Sequence, residues 1–173
     1  DAPAASMRVL GIDPSLRSTG FGIVDEEGGR LVPVAYGIIA PTAKAPLPLK
    51  LAEIKSELEG LIRSYAPAEA AIENAFYAQN MKTALTLGQV RGAVLVAVAE
   101  TGCALAEYSA LEIKKAVTGY GQADKDQVLT MVRSLLGLAD DDVPLDASDA
   151  LAAAICHLNA RQYRAKIDSE DAT

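Results

Sequence analysis

The sequence predicts a single α/β domain built on a mixed five-stranded sheet, and three observations predict it. Residues 7–40 hold three apolar runs of strand character. A Gly28-Gly29 pair separates the second run from the third. Beyond them the chain alternates helical periodicity with short strand-like stretches, the pattern of helices covering a sheet on both faces.

The elements follow in order. Residues 7–13, 19–25 and 31–40 are strand candidates, and Gly28-Gly29 is a tight-hairpin signal, so these three run antiparallel. Pro46–Tyr65 repeats Leu47, Leu51, Ile54, Leu58, Leu61 and Ile62 at helical spacing, and Pro67 helps to stop it. A strand over 69–73 precedes a long helix over about 80–100, ended by Gly102, and another strand over 104–108. Helices over about 110–117, 124–137 and 146–165 complete the chain. The last two strands join the sheet in parallel through helical crossovers. Residues 7–165 therefore read as one domain, 1–6 as a disordered leader or expression remnant before Met7, and 166–173 as a flexible acidic tail.

A chain of 173 residues, half of them hydrophobic, can bury one substantial core. No uninterrupted apolar run approaches the roughly 18–20 residues of a membrane span; 85–99 comes closest, broken by Gln89 and Arg91, and no membrane partner is expected. The leader lacks the basic start and apolar centre of a secretion signal. Cys103 and Cys156 form no metal-ligand pattern and read as free thiols of a cytoplasmic protein. A net charge of −7 disfavours broad attraction to nucleic acid, but the charge is segregated. Acid concentrates at 140–149 and 168–171, whereas Arg17, Lys82, Arg91, Lys114, Lys115 and Lys125 occupy the middle segments.

Four carboxylates stand out. Asp13 and Glu73 each end an apolar run, and Asp146 and Asp149 open an Ala/Leu-rich helix, three residues apart and so on one face. A carboxylate beside a core is costly unless hydrogen-bonded, paired or bound to a cation. Three have ordinary alternatives: Asp13 as a turn former before Pro14, and Asp146 and Asp149 as acids capping a helix, with Asp146 or Ser148 near its N-cap. Glu73 is harder to explain that way, because Glu is a poor strand residue beside buried neighbours. If the fold gathers these segments, the matching compensation is Mg²⁺ or Mn²⁺, whose hard charge suits carboxylate oxygen.

Gly11-Ile-Asp-Pro-Ser-Leu-Arg-Ser-Thr-Gly20, Ala71-Ile-Glu-Asn-Ala-Phe76, Ala84-Leu-Thr-Leu-Gly-Gln-Val-Arg-Gly92 and Asp146-Ala-Ser-Asp-Ala-Leu-Ala152 together resemble the RuvC family of Holliday-junction resolvases, nucleases of RNase H-like fold. The resemblance runs from Met7 to about Arg164. It implies that Asp13, Glu73, Asp146 and Asp149 are catalytic, metal-binding carboxylates holding two Mg²⁺ or Mn²⁺ ions about 4 Å apart. It further implies paired nicking of opposing strands of a four-way DNA junction, leaving 5′-phosphate and 3′-hydroxyl ends, in recombination and repair. A homodimer matches the junction's two-fold symmetry, with the helix over 80–100 as candidate interface, and the RuvAB branch-migration complex is an implied partner. Ser15 departs from the glycine that many relatives carry.

The resemblance places Lys125 and Lys114 near the reacting phosphate and Phe76, assisted by Tyr77, at the crossover as a base-stacking wedge. Lys82 and Arg91 are candidate phosphate contacts, with packing along the helix the alternative for Arg91. Lysines are ordinarily solvated and phenylalanines ordinarily core. His157 reads as a partly buried helix residue rather than a ligand. Two other functions compete. A non-catalytic junction-binding module predicts loss of a carboxylate, yet all four positions are acidic. An ATP-dependent kinase-like protein shares the Gly11-Ile-Asp-Pro…Thr19-Gly20 pattern but needs a second comparable domain, for which the chain is too short.

Overall fold

A computed structural model describes residues 6–74 and 80–172. Phe76 and Tyr77 lie outside the described residues. The elements are β1 (Met7–Asp13), β2 (Thr19–Glu27), β3 (Arg30–Ile39), α1 (Leu47–Tyr65), β4 (Glu69–Glu73), α2 (Met81–Glu100), β5 (Ala104–Tyr108), α3 (Ala110–Thr118), α4 (Lys125–Leu136) and α5 (Leu145–Asp171). The strands form one sheet in the order β3-β2-β1-β4-β5. β1, β2 and β3 are antiparallel neighbours, while β4 pairs parallel with β1 and β5 parallel with β4.

Local chemistry accounts for these boundaries. Gly28 and Gly29 both have positive φ, 58° and 86°, as a two-residue hairpin turn twisted to match its strands requires. Helix α1 ends where Ala66 turns left-handed just before Pro67, which lacks the N–H to continue. Capping boxes start α3 (Ser109 with Glu112) and α4 (Asp124 with Gln127), satisfying backbone donors that a helix start leaves free.

The strand period of two sorts side chains to two cores. Leu10, Ile12, Ile23, Ile39, Ala70 and Ile72 pack against Ile54, Leu58 and Ile62 of α1 and Val90, Val94 and Val98 of α2. Val9, Val24, Ala71 and Tyr108 face α3, α4 and α5. Helix α5 is nearly all-buried from Ala147 to Leu158.

Two expectations change. The final helix does not stop near residue 165 but runs to Asp171, through the segment read as an acidic tail. And α2 is long and apolar enough, by length and composition, to cross a membrane. Only one line of it is buried, however: Val90, Val94, Ala97 and Val98. Met81, Leu85, Leu95 and Val96 are exposed.

A candidate metal centre at the sheet's edge

Period two also aims the acids. Val9, Gly11 and Asp13 share the β1 face beneath α5, and Ala71 and Glu73 share it on β4. Both carboxylates come one step after the paired residues Ile12 and Ile72, so they emerge side by side where the parallel strands end.

Helix α5 brings the other two. It lies so close to the sheet that a Cβ on Gly11 would sit 1.8 Å from the Ala150 carbonyl oxygen. One on Gly20 would sit 1.9 Å from that of Asp146, and one on Gly22 would meet Leu151 at 2.5 Å. Only glycine on the strands permits this approach. Ala147, Ala150 and Ala154 match it from the helix side. The first turn of α5 is thereby pressed over β1 and β2, directly above Asp13.

One oxygen from each of Asp13, Asp146 and Asp149 lies within 4.8 Å of the others. Glu73 lines the same cleft, of about 340 Å³, with Lys114 of α3 and Lys125 of α4. It falls outside the tight triplet because the start of α5 sits over β1 and β2, away from β4. No hydrogen bond or ion pair within 4.0 Å engages any of the four side-chain carboxylates among the described residues. The helix-cap alternative does not hold: α5 begins at Leu145 after Pro144, and neither aspartate makes a cap bond.

Electrostatics express the crowding. Burial, then Asp149, Asp146 and Glu73, push the Asp13 carboxyl from 3.8 up to about 7, against the pull of Lys125. Burial and then Asp149 raise Glu73, with Lys114, Lys125 and Arg91 opposing. Asp149 is raised by burial and by Asp146, and lowered by Lys125. Lys125 is the first residue of α4, where the helix dipole disfavours a cation. Its field at three carboxylates accounts for a cation at that position.

Three converging carboxylate oxygens, short of protein donors and of nearby counter-charge, fit a hard divalent cation.

The remaining candidates lie elsewhere. Lys82 and Arg17 are exposed beside a separate groove of about 640 Å³ between the β1–β2 loop and the start of α2. Lys115 is exposed and does not line the cleft. Arg91 is tied into the fold: it donates to the Glu73 backbone carbonyl at 2.6 Å and to Glu107 at 3.3 Å. His157 is buried, with Nδ1 2.6 Å from the Tyr108 hydroxyl and Nε2 3.1 Å from Glu69, far down α5 from the acids. Burial holds it below the usual histidine range, against the pull of Glu69. Ser15 fits without positive φ; its amide donates to Thr19 Oγ1 at 3.1 Å, and that hydroxyl donates back to the Ser15 carbonyl at 2.6 Å. Sequence reasoning missed the packing role of Gly11, Gly20 and Gly22. Their alternation along β1 and β2, against alanines at helical spacing in α5, was the available signal.

A mixed sheet in this order, with acids at the ends of its first and fourth strands and on the helix crossing them, defines the RNase H-like class of metal-dependent nucleases. The family model for crossover junction endodeoxyribonuclease RuvC matches residues 9–157. A protein so named from Syntrophomonas wolfei is 44% identical over 163 residues, covering 94% of this chain and 95% of its own length. One from Magnetococcus marinus is 48% identical over 160 residues, 92% of this chain and 88% of its own. Thermus thermophilus RuvC superposes with a TM-score of 0.84 at 30% identity, and the same protein in complex with a Holliday junction substrate with 0.85. Each alignment covers 91% of this chain and 96% of the other. A yeast mitochondrial Holliday junction resolvase shares the fold, with a TM-score of 0.64 at 16% identity. The chain belongs to the crossover junction endodeoxyribonuclease RuvC family. That membership sets aside the kinase-like reading.

Proposed function

We propose that this chain is a structure-selective endonuclease that resolves four-way DNA junctions by metal-dependent nicking of paired strands. The observation that carries it is the gathering of four carboxylates from β1, β4 and α5 in one cleft with two lysines. Asp13, Asp146 and Asp149 would hold a divalent ion, with Glu73 completing a second position beside Asp149; Mg²⁺ and Mn²⁺ both suit these oxygens. When bound, the ions supply an activated water and positive charge at the scissile phosphate. Lys125 and Lys114 approach from α4 and α3 and neutralise charge gathering on the phosphoryl oxygens. Release of a 3′-hydroxyl and a 5′-phosphate leaves ends that a ligase can seal.

Phe76 and Tyr77, two and three residues beyond Asn74, are the proposed stacking side chains at the crossover. Lys82, with Arg17 across the neighbouring groove, extends a basic path for backbone phosphates. We further propose a homodimer, one site for each of two opposing strands. On α2, Met81, Leu85, Leu95 and Val96 form an exposed apolar side on which Gly88 and Gly92 leave open space for a close partner helix. The buried line of that helix favours this over a membrane. Coupling to the RuvAB branch-migration complex and action in the cytoplasm complete the proposal.

The test is cleavage of a synthetic four-way junction with Mg²⁺, Mn²⁺ or chelator, beside a linear duplex of the same sequence. Metal-dependent, junction-preferring nicks are expected. Equal cutting of both substrates would refute junction selectivity, and junction binding without cutting under either metal would favour a non-catalytic binding module.

A further inference from the structure

Arg91 projects from α2, on the opposite side of the sheet from α5, yet ends beside the cleft. Its side chain is only 16% exposed. Nη1 donates to the backbone carbonyl of Glu73 at 2.6 Å, and Nη2 reaches Glu107 Oε1 at 3.3 Å. Glu73 is the last residue of β4, and its neighbour's amide, on Asn74, donates to the Tyr108 carbonyl at 2.7 Å. The strand end is thus gripped twice, from β5 by backbone and from α2 by a charged side chain. No other side chain among the described residues donates to the Glu73 carbonyl.

We propose that Arg91 is a positioning residue that aims the Glu73 carboxylate into the cleft by fixing the peptide plane at its own carbonyl. Glu107 anchors the other arm, and because Glu107 pairs with Ile72 across β4 and β5, the guanidinium spans both strands just where β4 ends. A charge-assisted bond to a carbonyl is among the stronger protein hydrogen bonds. A planar fork meets two such acceptors from separate nitrogens in a fixed geometry, which the single ammonium of a lysine does not reproduce. With both arms engaged and the side chain largely buried, Arg91 has little left to offer a DNA phosphate. Displacing one carboxylate of a metal site by a fraction of an ångström is costly to rate, whereas it leaves the DNA-binding surface unchanged.

The inference rests on Glu73 belonging to the nuclease site. Its test compares wild type with R91Q, R91K and E107A in two assays: junction binding in chelator across a salt series, and single-turnover cleavage at saturating junction with Mn²⁺. R91Q should cleave at least about tenfold more slowly, with junction Kd within twofold of wild type and the same slope of log K against log salt. R91K should recover part of the rate, and E107A should lose a few-fold. A weaker Kd for R91Q with a salt slope shallower by about one, at full saturating rate, would overturn the proposal and make Arg91 a phosphate contact. Wild-type rate in R91Q would overturn it as well. Should R91Q fail to fold, wild-type rate in E107A does the same. A wild-type protein that binds junctions but never cleaves them would instead overturn the nuclease reading beneath it.

Discussion

Neutralising Asp13 should make the metal-free protein more stable while abolishing its chemistry. In the unfolded chain this carboxyl ionises near 3.8; in the fold, burial and three neighbouring acids move it to about 7. A raised acid carries no penalty below its unfolded value, accrues one as pH climbs from about 4 to 7, and bears it in full above 7. At about 1.4 kcal/mol per pH unit the full penalty reaches roughly 4 kcal/mol, of which about half survives screening in an open cleft. Asp13→Asn removes the charge with little change of shape. At pH 8 in chelator it should melt about 4–8 °C above wild type, with the gap closing toward pH 4. Adding Mn²⁺ should raise the wild-type midpoint and leave the variant's unchanged, and junction cleavage should fall at least about 10²-fold with binding retained. Thermal melts across pH, with and without metal, read all of this. A variant that melts at or below wild type at pH 8, or a gap constant from pH 5 to 8, would refute the account of Asp13 as a strained ligand.

Three further outcomes follow from the geometry. Gly20→Ala drives a Cβ toward the Asp146 carbonyl, backbone on backbone, and should cost about 1–3 kcal/mol or more in urea unfolding, together with cleavage at temperatures where the variant stays folded. Lys125→Ala should slow single-turnover cleavage by about 10²-fold; because Lys125 lowers Asp13, Glu73 and Asp149, its loss should also move the acid limb of the pH–rate profile to higher pH. Val96→Glu on the open side of α2 should convert the proposed dimer to monomers, read by light scattering; a dimeric mass unchanged in the variant would refute α2 as its interface.

The sheet was legible because its signals are local. Apolar runs with a Gly-Gly turn define three antiparallel strands, and each expected strand lies within about two residues of its observed bounds. The acids were legible as anomalies of position, Asp13 and Glu73 each at the last residue of a strand. What local pattern does not carry is contact across the fold. In sequence Arg91 is a helix cation like others, and its reach from α2 to the end of β4 is a contact between elements far apart in the chain. The extent of α5 was missed because its last turns have no core to give them a period; they are exposed throughout. Asp146 invited a capping explanation because caps are common, while the helix in fact opens on Pro144 and Leu145.

Helix α5 is at once the spine of the core and the carrier of two of the four acids. Its seat is apolar but not smooth. Carbonyls rest in notches left by missing side chains, so the helix is keyed like a tooth in a rack. Heat therefore has no intermediate setting at which the active site loosens while the body stays folded. Nuclease activity and global structure should vanish in one transition, and variants selected for tolerance to heat should keep this seat and change the outer helices instead.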